Sequence, residues 1–220
     1  MKIILPGYNG SKCIIGPSSY LMKKYIPKMF DIYWLNYGEF KGNVHVGTYV
    51  QLDVFQFGGS MAWAQYLLDF INTLDDEFVI LGLDDYFILE LMNMDRYKKV
   101  LSLLKGPDVC GRLHMDKEYK YEDEKNPERA TDGYLVTAQF NIWRRSALAE
   151  ILAKVNSPWQ FEIDGSGYMR DETKYSVIGY DNKPALTYIN HSVLSTKWDG
   201  INYEGLSSED FREMRNYGYL

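Results

Sequence analysis

Short apolar runs alternate along the chain with stretches of helical periodicity. Ile3-Ile4-Leu5, closed by Pro6-Gly7, reads as a first buried strand entering a glycine-containing loop, Gly7-Tyr8-Asn9-Gly10-Ser11-Lys12. A helix is expected over about Ser18 to Tyr25, and Asp31 to Asn36, rich in aromatic and branched residues, reads as a second strand. After Gly58-Gly59-Ser60, the residues Trp63, Leu67, Phe70, Ile71 and Leu74 recur at helical spacing, with Ser60 placed to cap the first turn. Phe78 to Leu83 is a continuous apolar run of strand length, the pattern of a central strand covered on both faces. A strand this soon after a helix implies an α/β crossover.

Asp95 is placed to cap a further helix with Tyr97, Val100, Leu101 and Leu104 inward, and Val109 to Leu113 reads as the next strand. Residues 116 to 133 are charged and aperiodic and read as a surface loop, either a lid or an inert insertion. Tyr134 to Trp143 has strand character. Leu148, Ile151, Leu152 and Val155 mark a helix that Ser157-Pro158 ends, Tyr175 to Gly179 and Ala185 to Asn190 are strand-like, and Ser207-Ser208 starts a terminal helix. With no linker or repeat, residues 1–220 read as a single α/β domain.

Composition narrows the function classes. The net charge of -6 argues against a broad electrostatic hold on nucleic acid. Cys13 and Cys110 form no CxxC and no disulfide framework, which favours a reducing, cytoplasmic setting, and no segment approaches the ~20 apolar residues of a membrane span. His45, His114 and His191 are far apart with no HExxH spacing, there is no GxSxG elbow, and Gly7 to Lys12 lacks the spacing of a phosphate loop.

Two features carry candidate chemistry. Asp84 and Asp85 follow the buried strand directly, which in open α/β sheets places them at the carboxyl edge where ligands bind. Adjacent carboxylates suit Mg²⁺ or Mn²⁺ bound with substrate phosphates, or they cap a following helix. Glu162 lies among Trp159, Phe161 and Ile163, ahead of Gly165-Ser166-Gly167. Apolar neighbours would raise its pKa towards that of a general base; the alternative is a loop with its aromatics in the core and Glu162 exposed.

Taken in order, the Trp-bearing helix, Val79-Ile80-Leu81-Gly82-Leu83-Asp84-Asp85-Tyr86-Phe87, Gln139-Phe140-Asn141-Ile142-Trp143, Pro158-Trp159-Gln160-Phe161-Glu162 and Tyr188-Ile189-Asn190-His191 with Lys197-Trp198 resemble the small bacterial and phage glycosyltransferases of the GT-A fold. The resemblance covers roughly residues 58 to 200. It implies a Rossmann-like mixed, mostly parallel central sheet flanked by helices. It also implies transfer of a sugar from a nucleotide-sugar donor to a hydroxyl acceptor: a glycan, a lipid-linked glycan or a hydroxymethylated base of phage DNA.

On that resemblance Asp84 and Asp85 correspond to the element that holds a divalent metal, Mn²⁺ or Mg²⁺, against the donor diphosphate. Glu162 is matched to the general base, His191 joins Asp85 at the metal, Gly7, Tyr8 and Lys197 lie by the donor, and Trp159 and Gln139 by the acceptor. The adjacent Asp-Asp departs from a spaced Asp-x-Asp, which leaves open the alternative that one carboxylate serves sugar or ribose hydroxyls instead. A nucleotidyltransferase, a metal-dependent phosphate hydrolase and a noncatalytic nucleotide- or sugar-binding module are the rival expectations for the same acidic pair.

Overall fold

A computed structural model describes residues 1–7, 12–52, 63–114, 134–171, 175–178, 184–189 and 205–219. The elements run β1 (Lys2–Pro6), α1 (Lys12–Tyr25), β2 (Asp31–Tyr37), β3 (Thr48–Leu52), α2 (Trp63–Asn72), β4 (Phe78–Leu81), β5 (Phe87–Ile88), α3 (Met94–Leu103), β6 (Asp108–Arg112), β7 (Asn141–Arg144), α4 (Arg145–Leu152), α5 (Pro158–Asp171), β8 (Ser176–Ile178), β9 (Tyr188–Ile189) and α6 (Ser208–Asn216). Seven strands form one sheet in the order β3-β2-β1-β4-β7-β6-β8, while β5 and β9 pair separately. β7 is antiparallel to both its neighbours and the other pairings of the large sheet are parallel. The chain is thus a mixed, mostly parallel α/β fold of the Rossmann-like, GT-A-like type expected from the sequence.

The strand periodicity explains why the sheet is covered twice. Ile4, Val79, Leu81 and Trp143 pack with α2, α4 and α5 on one face. Ile3, Leu5, Ile80 and Ile142 lie with residues of α1 and α3 on the other. Val79, Ile80 and Leu81 are all fully buried, as a strand with helices on both sides requires.

Beyond β1 the chain first moves outward through β2 and β3, then crosses back to place β4 on the opposite side of β1. In open α/β sheets such a reversal is where ligands bind, and here it falls at the carboxyl ends of β1 and β4, where Gly7 and the Asp84-Asp85 turn lie. Gly7 is tied there by its N–H to the Leu35 carbonyl (2.8 Å) and by the Tyr66 hydroxyl to its own carbonyl (3.2 Å).

Several local expectations are corrected. Helix α1 begins at Lys12, earlier than Ser18, and carries Pro17 within it. Helix α3 is capped by Asn93, whose side chain accepts the Arg96 N–H at 3.1 Å, and Asp95 sits inside the first turn. The strand expected over residues 134 to 143 is regular only from Asn141, because Tyr134 to Phe140 spend their hydrogen bonds on side chains and on neighbouring segments. No helix follows Asp85, so the pair is not a helix cap; Tyr86 leads straight into β5. The loop expected over 116 to 133 and the cap expected at Ser60 fall outside the described residues.

The largest correction is α5. The stretch around Glu162, for which a loop is the alternative expectation from sequence, is a continuous helix from Pro158 to Asp171 that runs through Gly165-Ser166-Gly167. Ser157 accepts the Gln160 N–H on its hydroxyl (3.2 Å), Gln160 reaches back to the Asn156 N–H (2.9 Å), and Pro158 takes the first helical position, where its missing N–H costs nothing. A Cβ on Gly165 would lie 3.1 Å from Ile151 and 3.3 Å from Val136, so glycine here permits close approach of α5 to α4 and to the 134–140 segment.

Candidate active site

Four segments meet at the carboxyl edge of the sheet: the end of β1, the turn after β4, the residues before β7, and the end of β6. The pairings Leu81 with Asn141 and Asn141 with Arg112 bring the last three side by side. Asp84 is buried and Asp85 half-buried.

The two carboxylates are felt by different neighbours. Burial, with the charge of Asp84 added, pushes the Tyr49 hydroxyl up to about 12, and burial followed by Asp84 also raises the Cys13 thiol. The charge of Asp84 is thus felt at α1 and at β3. Asp85 acts on Tyr86 instead: burial, then Asp85, then Glu162, push that hydroxyl far above its ordinary value. The charges of Glu162, on α5, and of Asp85, in the β4 turn, are thus both felt at one tyrosine.

Glu162 is half-buried, and its Oε1 accepts the Ala138 N–H at 3.0 Å. One helical turn on, Ser166 Oγ accepts the Val136 N–H at 3.0 Å. Fully buried Arg112 donates to the Tyr134 carbonyl at 2.5 Å, and Asn141 Nδ2 to the Thr137 carbonyl at 3.1 Å. These bonds hold a buried segment without regular structure against the acidic turn, as buried backbone polar groups require.

Above that segment sits an aromatic group. Tyr86 stacks on Tyr188 with ring centroids 4.7 Å apart and planes 16° from parallel, and Phe140 tilts against both rings. His114 packs at 5.9 Å from Tyr188 with its Nδ1 3.2 Å from the Phe140 carbonyl. Tyr188 donates its hydroxyl to Gln139 Oε1 at 2.7 Å.

Of the residues singled out from the sequence, Gly7, Asp84, Asp85, Gln139 and Glu162 therefore gather at one edge. Trp159 lies on α5 three residues before Glu162 and is 67% exposed, as is Ile163 in large part, whereas Phe161 is fully buried; the aromatics were not all drawn into the core. Tyr8, His191 and Lys197 fall outside the described residues. Tyr86 and Tyr188 were visible only as neighbours of other motifs; Arg112, Ala138 and Ser166 gave no signal, because their contacts are made by backbone groups or across long sequence separations. Among the described residues no three His, Cys, Asp or Glu side chains are grouped to hold a metal ion. Among the same residues, no helix is long and apolar enough to cross a membrane.

No family model matches the chain, and no curated protein matches it in sequence. Solved structures share its fold. S. aureus TarS aligns over 98% of this chain and 38% of its own with 16% identity and a TM-score of 0.53. TarS 1-349 in complex with UDP aligns over 98% of this chain and 63% of its own with 14% identity and a TM-score of 0.52. The mannosyltransferase PcManGT from Pyrobaculum calidifontis, in complex with GDP-Man and Mn²⁺, aligns over 89% and 57% with 10% identity and a TM-score of 0.53. The chain spans less than two thirds of each of these proteins, and at such identities the likeness establishes the shared fold.

Proposed function

We propose that the chain is a glycosyltransferase that moves a sugar from a nucleotide-sugar donor to a hydroxyl of an acceptor. The observation that carries this reading is that the Asp84-Asp85 turn and the 137–141 segment, to which Glu162 is anchored through the Ala138 N–H at 3.0 Å, lie side by side at the sheet edge where the strand order reverses. A carboxylate in the turn after β4 and another held at the same edge from α5 suit a reaction with a charged leaving group and a proton to remove. Further support comes from the fold, shared with a structure in complex with UDP and one in complex with GDP-Man and Mn²⁺.

On this reading the nucleotide lies between Gly7, Tyr8 and Asp84, with Lys197 by the phosphates. Asp85 faces the diphosphate, and Gln139 and Trp159 meet the acceptor. Glu162 takes the proton of the acceptor hydroxyl as its oxygen bonds to the anomeric carbon and the bond to the diphosphate oxygen breaks. The anchoring of Glu162 to the Ala138 N–H fixes where that proton is received.

On this reading Asp85, with His191, would hold a divalent cation of the Mg²⁺ or Mn²⁺ type, with phosphate oxygens and water completing its shell. A bound ion would offset charge on the leaving diphosphate.

The test is incubation of the chain with UDP-glucose, UDP-GlcNAc or GDP-mannose and a panel of glycoside, glycolipid and hydroxymethylated-DNA acceptors, with and without Mn²⁺. Nucleoside diphosphate released together with a glycosylated acceptor supports the reading. Pyrophosphate release from a nucleoside triphosphate points to nucleotidyl transfer, and a donor-induced rise in Tm without turnover points to a binding module; either outcome overturns it.

A further inference from the structure

Tyr188 is built into the site more firmly than a surface tyrosine on a two-residue strand would be. Its ring is stacked on Tyr86, the residue after Asp85, and is flanked by Phe140 at 5.6 Å and His114 at 5.9 Å. Its hydroxyl is therefore held in place, and it donates to Gln139 Oε1 at 2.7 Å. The Gln139 backbone is fixed as well, by its N–H on Thr137 Oγ1 at 3.0 Å and by the preceding Ala138 N–H on Glu162.

A glutamine amide has one end that accepts and one that donates. With the accepting end turned to Tyr188, the Nε2 end is the one left over. Gln139 is half-buried, and its Nε2 makes no hydrogen bond among the described residues. The two N–H bonds of that nitrogen are thus available one residue from the point where Glu162 is anchored.

We infer that Tyr188 is a positioning residue for Gln139, holding its amide with Nε2 open to the substrate, and that the acceptor is a carbohydrate carrying an oxygen beside the hydroxyl that is glycosylated. The inference rests on the transferase reading and narrows it to one acceptor class. Nε2 donates to the neighbouring oxygen while Glu162 receives the proton of the attacking hydroxyl. A lone alcohol leaves the amide without its partner and is bound more weakly.

The test uses the full chain with the three donors named above, and methyl glycosides beside their deoxy analogues as acceptors. Tyr188→Phe keeps the ring and removes only the hydroxyl. It is expected to raise the acceptor KM by about three- to tenfold, the size of one orienting hydrogen bond, with kcat and donor KM unchanged. Gln139→Ala is expected to do the same, and the double variant to add nothing to Gln139→Ala. The wild-type chain discriminates against the deoxy analogue by a similar factor, and Tyr188→Phe loses that discrimination. If Tyr188→Phe lowers Tm substantially, Gln139→Glu carries the test, because it retains an oxygen for Tyr188 and replaces the donating nitrogen by an acceptor; an unchanged acceptor KM then overturns the inference. Additive losses in the double variant, or a Tyr188→Phe enzyme that behaves as wild type, overturn it while leaving the transferase reading intact. No turnover by the wild-type chain with any donor and acceptor overturns both.

Discussion

The ring of Phe140 lies directly on Gly82, so closely that a Cβ at Gly82 would stand 2.5 Å from a ring carbon. This contact joins the end of β4 to the residue before β7, and both Asp84 and Gln139 hang from it. Phe140 is fully buried and also packs against Tyr86 and Tyr188, so it has little room to move aside. Gly82→Ala is therefore expected to cost about 1–3 kcal/mol by overpacking. Thermal unfolding should show a Tm lower by several degrees, together with weaker donor binding; an unchanged Tm would mean that the ring yields without strain.

Glu162 has a structural and a proposed chemical task that substitution separates. Glu162→Gln keeps an oxygen for the Ala138 N–H, so unfolding in urea should be close to wild type while transfer falls by about 10²–10⁴-fold. Glu162→Ala also leaves the buried Ala138 N–H without its acceptor and is expected to lose about 1–3 kcal/mol of stability. Transfer at the wild-type rate by Glu162→Gln would remove it from the role of base.

On the proposed reading, Cys13 reports on the donor side of the site. It is exposed at the start of α1 and feels Asp84, whereas Cys110 is buried with its thiol pKa pushed well up. One thiol should react with a disulfide reagent in the folded protein. Asp84→Asn removes a charge that opposes the thiolate and is expected to speed that reaction about two- to fivefold, in proportion to thiolate population. A bound nucleotide sugar should slow it in the wild-type chain; equal rates with and without a donor that raises Tm would move the nucleotide away from α1.

Asp210 fastens α6 to α1. Its side chain is fully buried and accepts from Lys24 (2.8 Å), Tyr25 (2.6 Å) and Ser207 (2.6 Å). Burial opposes its ionisation, but the hydrogen bonds from Lys24, Ser207 and Tyr25 outweigh burial and hold its pKa below the ordinary 3.8. A carboxylate with a depressed folded pKa contributes stability that is complete above its unfolded pKa and is lost as pH falls through the folded one. Asp210→Asn should lose about 1.5–3 kcal/mol at pH 7, the value of hydrogen bonds to a charged group. The gap between the two proteins in urea unfolding should shrink as pH drops below 3.8; a gap constant down to pH 2 would assign the loss to packing.

The sequence by itself determined where the buried strands lie and that an acidic pair follows one of them. A strand covered on both faces must be apolar without interruption, and Val79-Ile80-Leu81 states this locally. Ser207 could likewise be read as a cap, since its hydroxyl accepts the Asp210 N–H only three residues away. What only the tertiary structure decided is set by contacts between distant segments. Gly165 costs a helix about 1 kcal/mol taken locally, yet the helix forms, because the absent side chain lets α5 settle against Ile151 and Val136. The insertion of β7 between β4 and β6, antiparallel to both, sets the 137–140 segment beside the acidic turn. Asp84 and Asp85 look equivalent in sequence, but in the fold Asp84 is buried and felt at Tyr49 and Cys13, whereas Asp85 is half-buried and felt at Tyr86. How deeply a side chain is buried, and what surrounds it, depends on packing that the whole sheet imposes, and no local pattern carries that information.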